Sequence, residues 1–299
     1  MIDNENSGVL PIYKPAGMTS HDVVSKIRKL YGTKKVGHTG TLDPDACGLL
    51  LILVGRAVKA SEYITAGKKV YRAGMRLGIT TDTEDTSGTV LTESGDIPEK
   101  EAVLAAVAEF QGDIMQVPPM YSALKVGGQK LCDLARKGIT VERAARPITV
   151  YSIKAEGEGR DYTLDVSCSA GTYIRTLCAD IGAKLGCGGA MSSLLRTETG
   201  GFTIESARTF EELEAMETSE RYALLVPVEK LFEELPSLVF PEFYERLACN
   251  GAEIYQKKIG THFENGTLLR IFSRKNEFIG IAKADEFSGG SAVKIVKFL

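Results

Sequence analysis

The sequence predicts an α+β protein: one large domain of strands and helices, followed by a small β-rich module at the C-terminus. Three observations lead there. At 299 residues the chain can bury a sizeable core, and it is long enough for a large domain plus a smaller one. Its apolar pattern switches between period 2, as in 69–77, and the helical spacing seen in 21–31 and 173–185. From about Pro236 onward, short strand-like runs are punctuated by turn residues.

Taken in order, Gly8 to Lys14 reads as a short strand and 14–19 as a turn. Ser20 is the expected N-cap of a helix over 21–31 that stops at Gly32, with Val23, Val24, Ile27, Leu30 and Tyr31 on one face. Leu49–Val54 is an apolar run of strand length, and 58–65 a short helix. Lys69 to Leu77 alternates, so Tyr71, Ala73, Met75 and Leu77 share a face opposite Arg72 and Arg76. The stretch 80–88 is polar and reads as a solvated turn rich in side-chain caps, not as a cation loop. A helix is expected over 98–110, then an exposed insertion over 116–146 holding a short basic helix at 129–137. Strands follow at 148–156 and 162–168, and a helix at 173–185 turns Ile174, Leu177, Cys178, Ile181 and Leu185 inward. The acidic stretch 203–246 reads as a helical link. Beyond it come a short helix and strands at 267–272, 277–284 and 292–299.

Composition excludes several classes. The longest apolar run is far too short to span a bilayer, and the acidic, polar opening of residues 1–6 is no leader peptide, so a cytoplasmic protein is expected. Cysteines at 47, 132, 168, 178, 187 and 249 form no Cys-x-x-Cys pair, and histidines 21, 38 and 262 lack ligand spacing. Neither a disulfide framework nor a metal site is expected. The net charge of −3 conceals basic regions: residues 10–60 carry eight Lys/Arg against three Asp/Glu, and 116–151 carry six against two. A phosphate backbone responds to such local patches, although solvated helix faces account for part of the charge.

The chemically suggestive stretch is Gly37-His38-Thr39-Gly40-Thr41-Leu42-Asp43-Pro44. Glycines 37 and 40 permit sharp turns, and Pro44 biases Asp43 toward an extended backbone. A carboxylate is thereby held on a stiff loop at the mouth of a buried strand. Local chemistry leaves two roles open for Asp43, an active-site group or a cap for turn amides. Arg175 falls in the first turn of its helix, where a cation meets the positive end of the dipole and is favoured only beside an anion.

These residues, with Lys14-Pro15, Lys69-Val70-Tyr71, Thr81-Asp82-Thr83, Asp85, the run from Gln116 to Ala123, Arg146-Pro147 and Gly171-Thr172-Tyr173-Ile174-Arg175, resemble the bacterial TruB family of tRNA pseudouridine-55 synthases over nearly the whole chain. The resemblance implies a mixed, largely antiparallel sheet with flanking helices. It implies a catalytic domain over 1–235, an RNA-gripping thumb at 116–146 carrying Lys130, Arg136 and Lys137, and a PUA-like RNA-binding module over 236–299. It further implies isomerisation of the T-loop uridine of tRNA, with no cofactor or metal and no obligatory protein partner. A monomer is expected, gripping the T arm and acceptor stem and able to assist tRNA folding.

By the same resemblance Asp43 is the nucleophile, Arg175 its partner, and Tyr71 the ring that stacks on the flipped uracil, where packing alone would otherwise explain it. His38 and Leu42 open the loop and shape the pocket, and Leu194 is a pocket wall or simply core. Asp45 is a competing carboxylate that the motif does not align with the nucleophile. Two other classes remain on the residues alone. One is an RNA-binding folding helper or ribonucleoprotein scaffold without chemistry. The other is a glycoside hydrolase, which wants a second opposed carboxylate.

Overall fold

The structure is a computed structural model that describes residues 7–65 and 67–299; the polar opening at 1–6 lies outside the described residues. The chain begins with strand β1 (Gly8–Lys14), helix α1 (Ser20–Leu30), β2 (Val36–His38) and β3 (Cys47–Val54). A 3₁₀ turn leads into α2 (Ser61–Thr65) and then β4 (Lys69–Leu77). A hairpin of β5 (Ile79–Thr81) and β6 (Val90–Glu93) precedes α3 (Lys100–Ala108) and β7 (Gly112–Gln116). The insertion holds β8 (Lys125–Val126), β9 (Gln129–Lys130) and α4 (Leu131–Ala135). Next come β10 (Arg146–Glu158), β11 (Asp161–Cys168), α5 (Ile174–Lys184), β12 (Gly189–Thr199) and β13 (Phe202–Thr203). Helices α6 (Phe210–Ala215) and α7 (Thr218–Ala223) lead to β14 (Ser237–Val239), α8 (Glu242–Cys249), β15 (Ile254–Tyr255) and α9 (Gln256–Ile259). The chain closes with β16 (Leu268–Phe272), β17 (Phe278–Phe287) and β18 (Gly290–Phe298).

The main sheet runs β1-β3-β12-β4-β11-β10-β7, with β2 on β3 and β13 on β12. All its pairings are antiparallel except β12 with β3, so it is mixed and largely antiparallel. β3 is buried on both faces, which its unbroken apolar run demands. Leu50, Ile52 and Val54 pack with Val23, Val24 and Ile27 of α1. Leu49, Leu51 and Leu53 cluster with their neighbour Val9 and, from the C-terminal module, with Phe278, Ile281 and Leu299. That module's sheet, β14-β16-β17-β18-β15, therefore shares a core with the first, and Lys297 reaches Glu62 at 2.7 Å.

Several local expectations change. Thr19, not Ser20, caps α1, in a capping box with Asp22. Ser20 Oγ is committed elsewhere: it accepts from Leu42 N at 2.9 Å and donates to Leu42 O at 3.2 Å. Gly37 lies within β2, not in a turn. The acidic stretch is no free link, because Phe210 and Leu213 are buried beside α1 and Arg221 donates to the carbonyls of Leu213, Met216 and Leu30. β12 was not legible as a strand. Register shifts between Met191 and Ser193, and again between Arg196 and Glu198, reset its alternation and hide the period.

Candidate active site

The loop between β2 and β3 is tied down from several sides. Thr39 N donates to Leu51 O at 3.2 Å, Ala46 N closes a turn on Asp43 O at 3.1 Å, and Gly17 N donates to Pro44 O at 2.9 Å. Lys14, wholly buried, donates to Pro15 O at 2.9 Å, Pro44 O at 3.0 Å and Ala46 O at 2.6 Å. A buried ammonium bonded to three carbonyls holds the backbone on both sides of Asp45, and burial pulls its pKa down. Gly48 follows because the chains touch there. At φ +105° a Cβ would lie 2.4 Å from Arg196 O.

Asp43 stands at the end of this frame, opposite α5. Arg175 Nε approaches Asp43 Oδ2 at 3.0 Å, and a terminal nitrogen donates to Oδ1 at 3.3 Å, a two-point pairing. The guanidinium also donates to Thr83 O at 3.0 Å and Tyr121 O at 2.7 Å, and meets Asp85 Oδ2 at 3.7 Å. The anion that a cation in the first turn of α5 calls for is thus present twice over. The Arg175 side chain is 7% exposed and that of Asp43 40%. Burial pushes the Asp43 carboxyl above the usual carboxylate range; Arg175 opposes this and Asp85 reinforces it. Pairing with Arg175 therefore limits the rise without reversing it.

Behind Asp43 lies an apolar wall. Leu42, Ala46, Tyr71, Ala73, Ile174 and Leu194 belong to one buried cluster. β4 supplies Tyr71 and Ala73, and β12 places Leu194 opposite Ala73. Tyr71 is 7% exposed, and burial raises its phenol pKa while Arg196 counters. His38 ends β2, its Nδ1 accepting from Gly40 N at 3.3 Å, and burial lowers its pKa, which keeps the imidazole neutral. Asp45 is exposed and does not join the Arg175 pairing.

The structure brings Asp43, Arg175, Tyr71, Leu42 and Leu194 together, with His38 at the base of the loop. Lys130, Arg136 and Lys137 do not join them; all three are exposed on the insertion, and Arg136 pairs with Asp133 at 3.4 Å. The insertion meets the site at its root, through Tyr121 O. Sequence reasoning missed Asp85. The stretch 80–88 is rich in side-chain caps as expected, yet it is not merely solvated. Asp85 accepts from Thr83 Oγ1 at 2.8 Å and from Ser87 N and Oγ at 3.1 and 2.6 Å, and backbone bonds stitch the loop to Met191. Its only sequence signal was Asp85 in the motif blocks. Among the described residues, no group of three or more His, Cys, Asp or Glu is arranged to hold a metal.

The same fold recurs in known proteins. The chain is similar to Cbf5 structures: at a TM-score of 0.74 and 30% identity to the crystal structure of a Cbf5–Nop10–Gar1 complex, covering 99% of this chain and 85% of that one. The archaeal box H/ACA sRNP Nop10–Cbf5 complex gives a TM-score of 0.72 at 28% identity over 99% and 86%. Residues 28–174 match the N-terminal domain of the TruB family pseudouridylate synthases, and 175–233 the tRNA pseudouridylate synthase B C-terminal domain. The chain is 43% identical to tRNA pseudouridine synthase B of Alkaliphilus oremlandii over 98% of both chains, and 44% identical to that of Clostridium kluyveri over 94% of this chain and 96% of the relative. It belongs to the TruB family of pseudouridylate synthases.

Proposed function

We propose that this protein is a tRNA pseudouridine synthase that isomerises the T-loop uridine at position 55, with Asp43 as nucleophile. The observation that carries the reading is the two-point Asp43–Arg175 pair at the mouth of the Leu42–Tyr71–Leu194 wall. The names of its curated relatives support tRNA as the substrate.

A uracil stacked inside a folded loop must be extruded to reach such a pocket, at a cost of about a few kcal/mol. Leu42 and Leu194 offer it an apolar wall, and Tyr71 a ring to stack on. Asp43 then assists cleavage of the bond between C1′ and N1. The base turns, C1′ bonds to C5, C5 loses a proton and N1 gains one, so the net change is an isomerisation. Arg175 holds the carboxylate in place and favours its ionised form.

In this reading 116–146 is a thumb on the T arm, with Lys130, Arg136 and Lys137 on phosphates, and 236–299 a PUA-like module toward the acceptor stem. The protein works in the cytoplasm as a monomer, without a guide RNA or protein partner, and its grip on the T arm can also assist tRNA folding. The test is Asp43→Asn, assayed with the purified protein alone on an unmodified tRNA transcript. The expected result is no pseudouridine, with tRNA still bound. Turnover by this variant, shown by mass spectrometry to be free of deamidation, refutes the nucleophile assignment and makes Asp45 the next carboxylate to change. Inactivity of the unaltered protein alone refutes independence from a guide RNA.

A further inference from the structure

Arg196 is the largest of the wholly buried side chains, 1% exposed, on the β12 strand that sequence reading missed. It stands directly opposite Tyr71 in the antiparallel register of β12 and β4, so both side chains lie on the same face. Its Nε donates to Leu49 O at 2.8 Å, and a terminal nitrogen donates to Gly40 O at 3.2 Å. Tyr71 is its cross-strand neighbour, and this guanidinium opposes the burial-driven rise of the phenol pKa. A Cβ on Gly40 would lie 3.7 Å from the other terminal nitrogen, so the group sits immediately beneath the loop that carries Asp43.

What makes this arrangement unusual is its charge. Arg175 is balanced by Asp43 and Asp85. Arg196 forms no ion pair among the described residues, and the charges around it include Lys14 and Lys69, which do not compensate it. Burying a guanidinium without a counter-charge is unfavourable, and an apolar side chain would fill the same volume more cheaply. Packing therefore does not account for an arginine here. Its placement does: it bonds the loop and the strand that follows it, and it stands across the strand pair from Tyr71.

We propose that Arg196 is a positioning residue for the isomerisation, one planar guanidinium bonded to Gly40 O and Leu49 O and set against Tyr71 across the strand pair, so that the stacking ring and the Asp43 loop keep a fixed spacing. The inference rests on the roles given above to Asp43 and Tyr71. A lysine keeps the charge but, as a compact ammonium, lacks the rigid fork that holds the two carbonyls through separate nitrogens.

Arg196→Lys is the informative substitution, because it leaves a cation in place and is the change best tolerated by folding. Two readouts are taken: single-turnover pseudouridine formation beside tRNA affinity, and the 13C resonance of the tyrosine Cζ atoms in labelled protein, with Tyr71 assigned through Tyr71→Phe. The expected result is a loss of about 10- to 100-fold in the single-turnover rate, the size a misplacement near 1 Å produces, with tRNA affinity unchanged. The Tyr71 Cζ resonance is expected to move while those of distant tyrosines stay put. An unchanged rate, a loss confined to tRNA affinity, or an unmoved Tyr71 resonance overturns the proposal. The resonance needs no turnover, so an unaltered protein without synthase activity would refute the proposed reaction while still testing the Arg196–Tyr71 contact.

Discussion

Replacing Arg175 by methionine removes the group on which the site converges. The change keeps the volume of the side-chain stem but strands two carboxylates, Asp43 and Asp85, and two carbonyls, Thr83 O and Tyr121 O. Breaking a buried ion pair by deleting one partner costs about 3–5 kcal/mol. With the Asp43 side chain 40% exposed, water recovers part of that, so about 2–3 kcal/mol is a fair expectation for loss of stability near neutral pH. The sign of the pH effect follows from the direction of the Asp43 shift. Its carboxyl already lies above the usual range because of burial, with Arg175 the main opposing influence. Without the arginine it rises further. A carboxyl raised above its unfolded value favours folding fully below the unfolded pKa and loses that contribution as pH climbs through the folded pKa. Arg175→Met is therefore least damaging in acid and most damaging above that range. Activity moves the opposite way at low pH, because the proposed reaction needs the ionised carboxylate: the acid limb of the rate profile shifts upward. Single-turnover pseudouridine formation across the pH range, with tRNA in excess of its dissociation constant, should show that shift and a plateau lower by about 100-fold or more. A variant with an unshifted limb and a normal plateau would refute the pairing as a catalytic device.

Neutralising Lys130, Arg136 and Lys137 should weaken tRNA binding and reduce the dependence of log affinity on log salt by up to about one unit per lost phosphate contact. Unchanged affinity and slope would leave these exposed charges merely solvated. Ending the chain at residue 235 removes Phe278, Ile281 and Leu299 from the cluster that covers Leu49, Leu51 and Leu53, so the truncated protein should unfold at much lower denaturant concentration and lose activity on an isolated T-arm hairpin as well as on whole tRNA. Full activity on the hairpin would show that the first sheet needs no cover. Gly48→Ala should cost about 1–3 kcal/mol or more in urea unfolding, because φ +105° is strained for alanine and its Cβ would lie 2.4 Å from a backbone oxygen. A change below about 0.5 kcal/mol would mean that the β3–β12 approach relaxes freely.

Much of this protein is determined by local pattern. The alternation of 69–77 orients Tyr71 inward, and the buried run Leu49–Val54 requires a strand covered on both faces. The helical spacing after Gly171 puts Arg175 in the first turn of α5, where the dipole demands an anion nearby. The motif at 37–44 marks Asp43 as a carboxylate on a braced loop. Which anion meets which cation was decided only in three dimensions, since Asp43 and Arg175 lie 132 residues apart and nothing local encodes their pairing. The same holds for Asp85, whose loop looked like an ordinary capped turn because its hydrogen bonds to Thr83 and Ser87 are those of one. Its contact with Arg175 exists only once the loop is stitched to Met191. β12 and its buried Arg196 were invisible for a complementary reason. Bulges reset the period-2 signal, and an arginine in sequence reads as surface until tertiary packing closes over it. The acidic stretch and the C-terminal sheet show a third limit: composition reports what a segment is made of, while the neighbour that buries it is set by the whole fold.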